Sequence, residues 1–422
     1  MAALYYYRYS RKLDKTFYSL QEEKMKISSK AQLCNLSPMR KFHPYAVAAK
    51  ERGVKIYHLN IGQPDIATPK AYFDAVQNFS QPVIAYAASP GMPEMIDAVK
   101  NYYACIGVNY TSEDIFITTG GSEALMMLML SILDDGSEVI IPEPFYPNYN
   151  TFVRSAGGVI RPLTTTPEEG YHYANRAKIE ALINENTRAI MFTNPGNPTG
   201  AVLTHDEMRM LADVAKEHDL FLIGDEVYRE FIYSGEKLST IGQFEDIAEN
   251  AVIIDSVSKR FSACGARIGT IITKNKDLQQ QIMKFCQARL SVSTLAQVAS
   301  AALYTVDSDY FDAVREEYRL RRDTCYNKLL SIPGVVCAEP KGAFYIMAKL
   351  PVDSADTFQK WLLTDFSDNG ETVMFAPGEG FYATPGKGVN EIRIAYVLKQ
   401  QDLERAMDLL ALGIAKYNET HK

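Results

Sequence analysis

The chain of 422 residues holds no apolar run near the roughly 18 residues of a membrane span, so no membrane partner is expected. It holds no Cys-x-x-Cys pair. Its six cysteines, Cys34, Cys105, Cys264, Cys286, Cys325 and Cys337, are scattered, which excludes a structural zinc site and fits free thiols in a reducing cytoplasm. The six histidines show no ligand spacing, and no metal is expected. There is no long basic run, and the formal net charge is −7, which argues against a nucleic-acid partner. Repeats and low-complexity tracts are absent. The first 24 residues lack the apolar stretch of a secretory signal. They are polar and aromatic, with Tyr5-Tyr6-Tyr7, and read as a disordered extension, with Met25 as an alternative start.

What the chain does have is alternation. From about residue 114 to 273, short apolar runs alternate with helical patterns. Ile115-Phe116-Ile117-Thr118 reads as a strand ending at Gly120-Gly121, and Ser122 to Leu133 as a buried helix apolar nearly all round. Val139-Ile140-Ile141 reads as a strand ended by Pro142, and Ala189 to Phe192 as another. Thr204 and Glu207 form a capping box for the next helix. Leu220 to Ile223, Val252 to Ile254 and Ile268 to Ile272 complete the set. This pattern predicts an α/β fold with a mostly parallel central sheet flanked by helices, and ligands at the carboxyl ends of its strands. Residues 276–330 read as helical, with Glu316, Glu317, Arg319, Arg321 and Arg322 facing water. After Ile332-Pro333-Gly334 a smaller α+β domain is expected. The division is an extension over 1–30, an N-terminal part of the small domain over 31–64, a large domain over 65–315 and the rest of the small domain over 316–422.

Chemistry-bearing residues cluster at those strand ends. Ser256-Val257-Ser258-Lys259 follows one apolar run, with Arg267 eight residues beyond the lysine. A lysine there, flanked by hydroxyls and a guanidinium, is what holding a phosphorylated aldehyde as a Schiff base requires. Gly120-Gly121-Ser122 offers backbone amides and a helix N-terminus to an anion. Phe145, in Pro142-Glu143-Pro144-Phe145-Tyr146-Pro147, offers a ring to stack on a planar group. Asn197 and Tyr228 can donate to a phenolate oxygen. Asp225, one glycine past four apolar residues, reads as a buried carboxylate needing a cation. Arg393, framed by Ile392 and Ile394, can grip a carboxylate with two parallel hydrogen bonds. Each has a plain alternative when taken alone: a tight turn, a core ring, a simple turn, a helix cap, an exposed lysine, an exposed strand face. Their serial occurrence at five strand ends, one crossover unit apart, argues against chance.

With those motifs in place, the chain resembles the class I/II aminotransferases of the fold-type-I pyridoxal-phosphate superfamily, from about Leu59 to Leu410. The stretches Thr118 to Leu125, Ser256 to Gly269 and Gly380 to Gly386 are similar to a prokaryotic aspartate aminotransferase-like branch. The resemblance implies pyridoxal 5'-phosphate as cofactor, joined to Lys259, with Asp225 on the ring nitrogen and Tyr228 and Asn197 on the phenolate oxygen. Gly121, Ser122, Ser256, Ser258 and Arg267 match the phosphate cradle, and Phe145 the stacking ring. Arg393 matches the arginine on the substrate α-carboxylate, and Gly62, in Asn60-Ile61-Gly62-Gln63-Pro64-Asp65, the loop closing over it. Tyr86, before Ser89-Pro90-Gly91, matches a tyrosine reaching the neighbouring subunit's phosphate, which implies a homodimer with shared sites.

The expected reaction moves an amino group from an acidic amino acid, aspartate foremost, to a 2-oxo acid such as 2-oxoglutarate. Aromatic or aliphatic donors, and a lyase or decarboxylase of the same fold, are the alternatives. A nicotinamide oxidoreductase would need G-x-G-x-x-G, which Gly120-Gly121-Ser122-Glu123 does not supply. A non-catalytic regulator would need a DNA-binding segment before residue 59, and none is recognisable. A dicarboxylic donor requires a further cation. Arg289, 30 residues past Lys259, is the candidate, acting within its own subunit or across a dimer interface, with a structural ion pair as its alternative role; Arg40 is the reserve. The segment Gly378 to Val389 is long for the family and is expected to lie over the site.

Overall fold

Apolar runs of four to seven residues, bounded by turn formers, set the framework. The computed structural model describes residues 25–235 and 239–421, so the expected extension lies almost wholly outside the described residues. Strand β1 (Lys55–His58) comes first. Seven strands then build the central sheet: β2 (Ile115–Thr118), β3 (Glu138–Glu143), β4 (Val159–Thr164), β5 (Thr187–Thr193), β6 (Phe221–Asp225), β7 (Ala251–Ser256) and β8 (Gly269–Thr273). Their spatial order is β2-β8-β7-β6-β5-β3-β4. All neighbours pair in parallel except β8, which runs antiparallel to both β7 and β2. The expected mostly parallel α/β sheet is therefore present.

The period-two geometry of a strand sends alternate residues to opposite faces. Ile253 packs on one face with Ile115, Ile117, Ile190 and Leu222. Val252 and Ile254 pack on the other with Phe116, Met191 and Ile223. Both faces carry helices, so the strands read as unbroken apolar runs. The apolar helix Gly120–Ile132 buries Ala124, Leu125, Met127, Leu128 and Met129, as its composition requires. The Thr204–Glu207 capping box is formed at the start of His205–Glu217.

Two local expectations are corrected. Pro142 does not end its strand, because β3 continues to Glu143. Pairing with β5 stops at Ile140, while pairing with β4 runs on, so the proline's missing N–H falls where β3 is already an edge. Arg321 and Arg322 do not face water. Both are buried, Arg321 on Asp65 and Glu317 at 2.6 and 2.7 Å, Arg322 on the Pro340 carbonyl at 2.8 Å. The proposed boundary at 315/316 lies within one continuous helix, Ser308–Leu330.

The last five strands are β9 (Val336–Cys337), β10 (Tyr345–Lys349), β11 (Glu371–Met374), β12 (Ala376–Pro377) and β13 (Glu391–Ala395). They form a four-stranded sheet, β12-β13-β10-β9, and a parallel pair in which β1 returns to β11. Helices Ala355–Thr364 and Gln400–Thr420 cover them around a second core that includes Phe344, Phe358, Ile392 and Leu403. Arg393 sits in the middle of β13, opposite Met347 of β10, so this second unit brings a cation to the edge of the first.

Candidate active site

The ends of β2, β5, β6 and β7 and the start of β8 meet at one edge of the sheet. The register pairs Gly269 with both Thr118 and Ser256, which fixes the common level. A cavity of about 290 Å³ opens there. Gly62, Gly121, Ser122, Asn197, Asp225, Tyr228, Ser256, Ser258, Lys259, Arg267 and Arg393 all line it, so residues far apart in sequence converge as expected.

Lys259 lies on a single helical turn, Val257–Arg260. Ser256 caps that turn by accepting the Ser258 N–H at 3.2 Å. The Lys259 Nζ donates to the Gly62 carbonyl at 2.8 Å and lies 3.7 Å from Cys264 Sγ. The amine is thereby held at the loop that the sequence places over a substrate carboxylate.

Asp225 is buried at the end of β6. Burial pushes its carboxyl up to about 6, against hydrogen bonds from the Tyr149 hydroxyl and the Val227 amide that favour the anion. The Tyr149 bond is 2.5 Å long, and the same hydroxyl lies 2.7 Å from Thr193 Oγ1. Among the described residues no lysine or arginine pairs with this carboxylate in a salt bridge.

The Tyr228 hydroxyl accepts from Asn197 Nδ2 at 3.3 Å and lies 2.8 Å from the Tyr345 hydroxyl. Asn197 Oδ1 in turn accepts from Arg393 Nη1 at 3.1 Å, and Arg393 Nη2 donates to the Asn60 carbonyl at 2.7 Å. The Arg393 guanidinium lies 4.6 Å from the Tyr345 ring centre and 5.0 Å from that of Phe381. Its Nε is buried without a partner. Burial pulls its pKa below the ordinary arginine value.

At the opposite end stand Gly121, Ser122, Ser256, Ser258 and Arg267. The conformational demand falls on Gly120, whose φ is +74°. A Cβ there would stand 2.4 Å from Arg267 Nη2. Arg267 is itself left-handed at φ 55°, tied by Nη1 to the Cys264 carbonyl at 3.0 Å. Its Nη2 lies 3.5 Å from the Thr119 carbonyl.

Two expected site residues lie outside this cavity. Phe145 is buried behind the cavity wall, its ring 6.2 Å from that of Tyr149. Tyr146 and Tyr149 line the cavity in its place. Arg289 points away and spends its guanidinium on Glu123 at 3.0 Å and on the Ser89 and Ile117 carbonyls at 2.9 and 3.2 Å. It is a structural ion pair. Tyr86, expected to reach a neighbouring subunit, is 82% exposed on a surface loop and does not line this chain's own cavity. The segment Gly378 to Val389 does not line it either. Its Ala383 and Thr384 amides bind the buried Glu143 carboxylate at 2.9 and 3.1 Å, so it buttresses the end of β3. The sequence reading missed Tyr149 and Tyr345. Tyr149 lies one helical turn past Tyr146, and that i, i+3 spacing was the available signal.

The family model for aminotransferase class I and II matches residues 54–410. An aspartate aminotransferase of Bacillus subtilis is 31% identical over 93% of this chain and 100% of its own. An aspartate/prephenate aminotransferase of Thermus thermophilus is 30% identical over 87% of this chain and 93% of its own. The solved structure of an alanine aminotransferase from Pyrococcus furiosus superposes with a TM-score of 0.85 at 28% identity, covering 93% of this chain and all of that one. With its sheet, its lysine-bearing strand end and a family match over most of its length, the chain belongs to the class I and II aminotransferases.

Proposed function

We propose that this protein uses pyridoxal 5'-phosphate to move the amino group of an acidic amino acid, best aspartate, to a 2-oxo acid such as 2-oxoglutarate. The observation that carries the reading is the convergence of Lys259, Asp225, Arg267 and Arg393 on one cavity. The donor set suits that cofactor. Asp225 is a buried carboxylate with a raised pKa and no salt-bridge partner, which a protonated ring nitrogen would stabilise. The close approach of Gly120 to Arg267, beside the Ser256 and Ser258 hydroxyls, suits a phosphate dianion.

When bound, pyridoxal 5'-phosphate supplies an aldehyde for the amino group and an electron-poor ring that makes the substrate Cα–H acidic. The chain supplies the rest. Ser256, Ser258, Arg267, Gly121 and Ser122 hold the phosphate. Tyr149 donates to Asp225 and keeps that carboxylate ionised and aimed at the ring nitrogen. Tyr228 and Asn197 would donate to the phenolate oxygen, and Tyr146 would offer its ring to the cofactor. Arg393, presented by β13, holds the α-carboxylate, with Gly62 closing over it. With the group bound, the Lys259 amine would serve as the general acid–base that takes the proton from the substrate Cα. A second 2-oxo acid would complete the exchange of the amino group.

A homodimer is the proposed assembly. Val83, Ile84 and Tyr86 form an exposed run on one loop, 69%, 66% and 82% accessible, which suits burial against a second copy and carries Tyr86 toward its site. The seven-stranded sheet suits a large cofactor domain, and the four-stranded sheet with the β1–β11 pair suits a small domain built from both chain ends. No helix among the described residues is long and apolar enough to cross a membrane, and six free cysteines fit a reducing cytoplasm.

The test is a single half-reaction. Holoenzyme mixed with aspartate and no 2-oxo acid should release one equivalent of oxaloacetate and retain the amino group on the cofactor. Release of free ammonia with fumarate, or of carbon dioxide with alanine, would instead make the protein a lyase or a decarboxylase.

A further inference from the structure

Four cationic side chains line the cavity, Arg40, Lys259, Arg267 and Arg393, against one carboxylate, Asp225. Lys259, Arg267 and Arg393 each have a task in the proposed reaction. Arg40 has none. It closes the short turn Pro38–Arg40, which arrives from the N-terminal side of the chain.

That turn is held on every side of Arg40. The Arg40 N–H donates to the Ser37 carbonyl at 3.1 Å. Pro38 packs so tightly on Gly380 that a Cβ there would stand 2.4 Å from it. Met39 Sδ lies 3.2 Å from Arg393 Nη2, and Lys41 pairs with Asp356. Arg40 is thus placed one residue from the side chain that touches Arg393. Its own side chain is exposed at the cavity, and among the described residues no carboxylate pairs with it. Arg289, the other cation considered for a second carboxylate, is already spent on Glu123.

We propose that Arg40 is the specificity-determining cation of this site and binds the side-chain carboxylate of a dicarboxylic amino acid whose α-carboxylate is held by Arg393. The inference rests on the aminotransferase reading and on the role given there to Arg393. Discrimination comes from gain. A dicarboxylic donor forms a charge-assisted pair with a guanidinium that has no other partner. An apolar donor leaves Arg40 in water at little cost, so it reacts more weakly without being excluded.

The experiment compares wild-type holoenzyme with Arg40→Met and Arg40→Lys, using aspartate and alanine as donors and maleate as an unreactive dicarboxylate. Arg40→Met should lower kcat/KM for aspartate about 10- to 100-fold, mainly through KM, as loss of a hydrogen-bonded charge pair does. Maleate affinity, measured by calorimetry, should fall by a similar factor, and Arg40→Lys should recover part of both. The alanine reaction should stay within about threefold of wild type, since alanine makes no contact with Arg40. Equal losses for aspartate and alanine, or unchanged maleate binding in Arg40→Met, would overturn the proposal and leave the aminotransferase reading standing. Absence of turnover with every donor would overturn that reading instead, and maleate affinity would then decide the role of Arg40 by itself.

Discussion

Replacing Asp225 by asparagine should stabilise the cofactor-free protein while removing its function. In the fold, burial pushes the Asp225 carboxyl from an ordinary 3.8 up to about 6. The unfolded chain releases that proton near the ordinary value, whereas the folded chain still holds it. Between the two values the folded state therefore binds more protons, and stability falls as pH rises from about 4 to about 6. The whole gap corresponds to about 3 kcal/mol, at roughly 1.4 kcal/mol per pKa unit, and is fully lost by pH 7. An asparagine has nearly the same shape, carries no charge, and can still accept the Tyr149 hydroxyl. Cofactor-free Asp225→Asn should therefore outlast cofactor-free wild type in urea at pH 7 by about 1–3 kcal/mol, and the two should converge near pH 4. Adding pyridoxal 5'-phosphate should reverse the order, because a cation facing the carboxylate restores what burial cost and the variant has nothing to restore. Urea titrations followed by circular dichroism at pH 4, 5, 6 and 7 provide the assay. A variant less stable than wild type at pH 7, or a difference that does not change with pH, would refute the reasoning.

Arg289→Ala should cost about 1–3 kcal/mol of stability by leaving Glu123 and two carbonyls without their donor, while kcat/KM changes alike for aspartate and alanine; thermal melts and paired kinetics check both. Gly120→Ala should weaken cofactor binding at least tenfold, because a left-handed non-glycine residue costs about 1–2 kcal/mol and its methyl group would displace Arg267. Fluorescence titration with pyridoxal 5'-phosphate measures that loss, and an unchanged affinity would separate Arg267 from the phosphate.

Much of the fold was legible because it depends on local pattern. The runs at Ile115, Ile190, Leu222 and Ile253 are strands for the same reason that they are apolar: each is covered on both faces. Asp225, Ser256 and Lys259 were readable because each follows such a run directly, and a strand end is a place that topology fixes. Where several like side chains stand together, pattern carries less. Pro142 to Tyr149 offers three aromatic rings in five positions, and only the path of the turn after β3 decides that Tyr146 and Tyr149 face the cavity and Phe145 does not. Long cations mislead for another reason. Arg289, Arg321 and Arg322 look alike in sequence to any solvent-facing arginine on a helix, yet their partners, Glu123, Asp65 and the Pro340 carbonyl, lie 166, 256 and 18 residues away. The buttress of Gly378 to Val389 on Glu143 is equally non-local, since its two halves are 240 residues apart.

The central claim is that Lys259 is the residue that carries the cofactor. Reduction of the holoenzyme with borohydride, followed by proteolysis and mass spectrometry, tests it directly. The account predicts one phosphopyridoxyl group per chain, on the peptide containing Lys259, and its loss when aspartate is added before the reductant. A label on another lysine, or none at all, would contradict it.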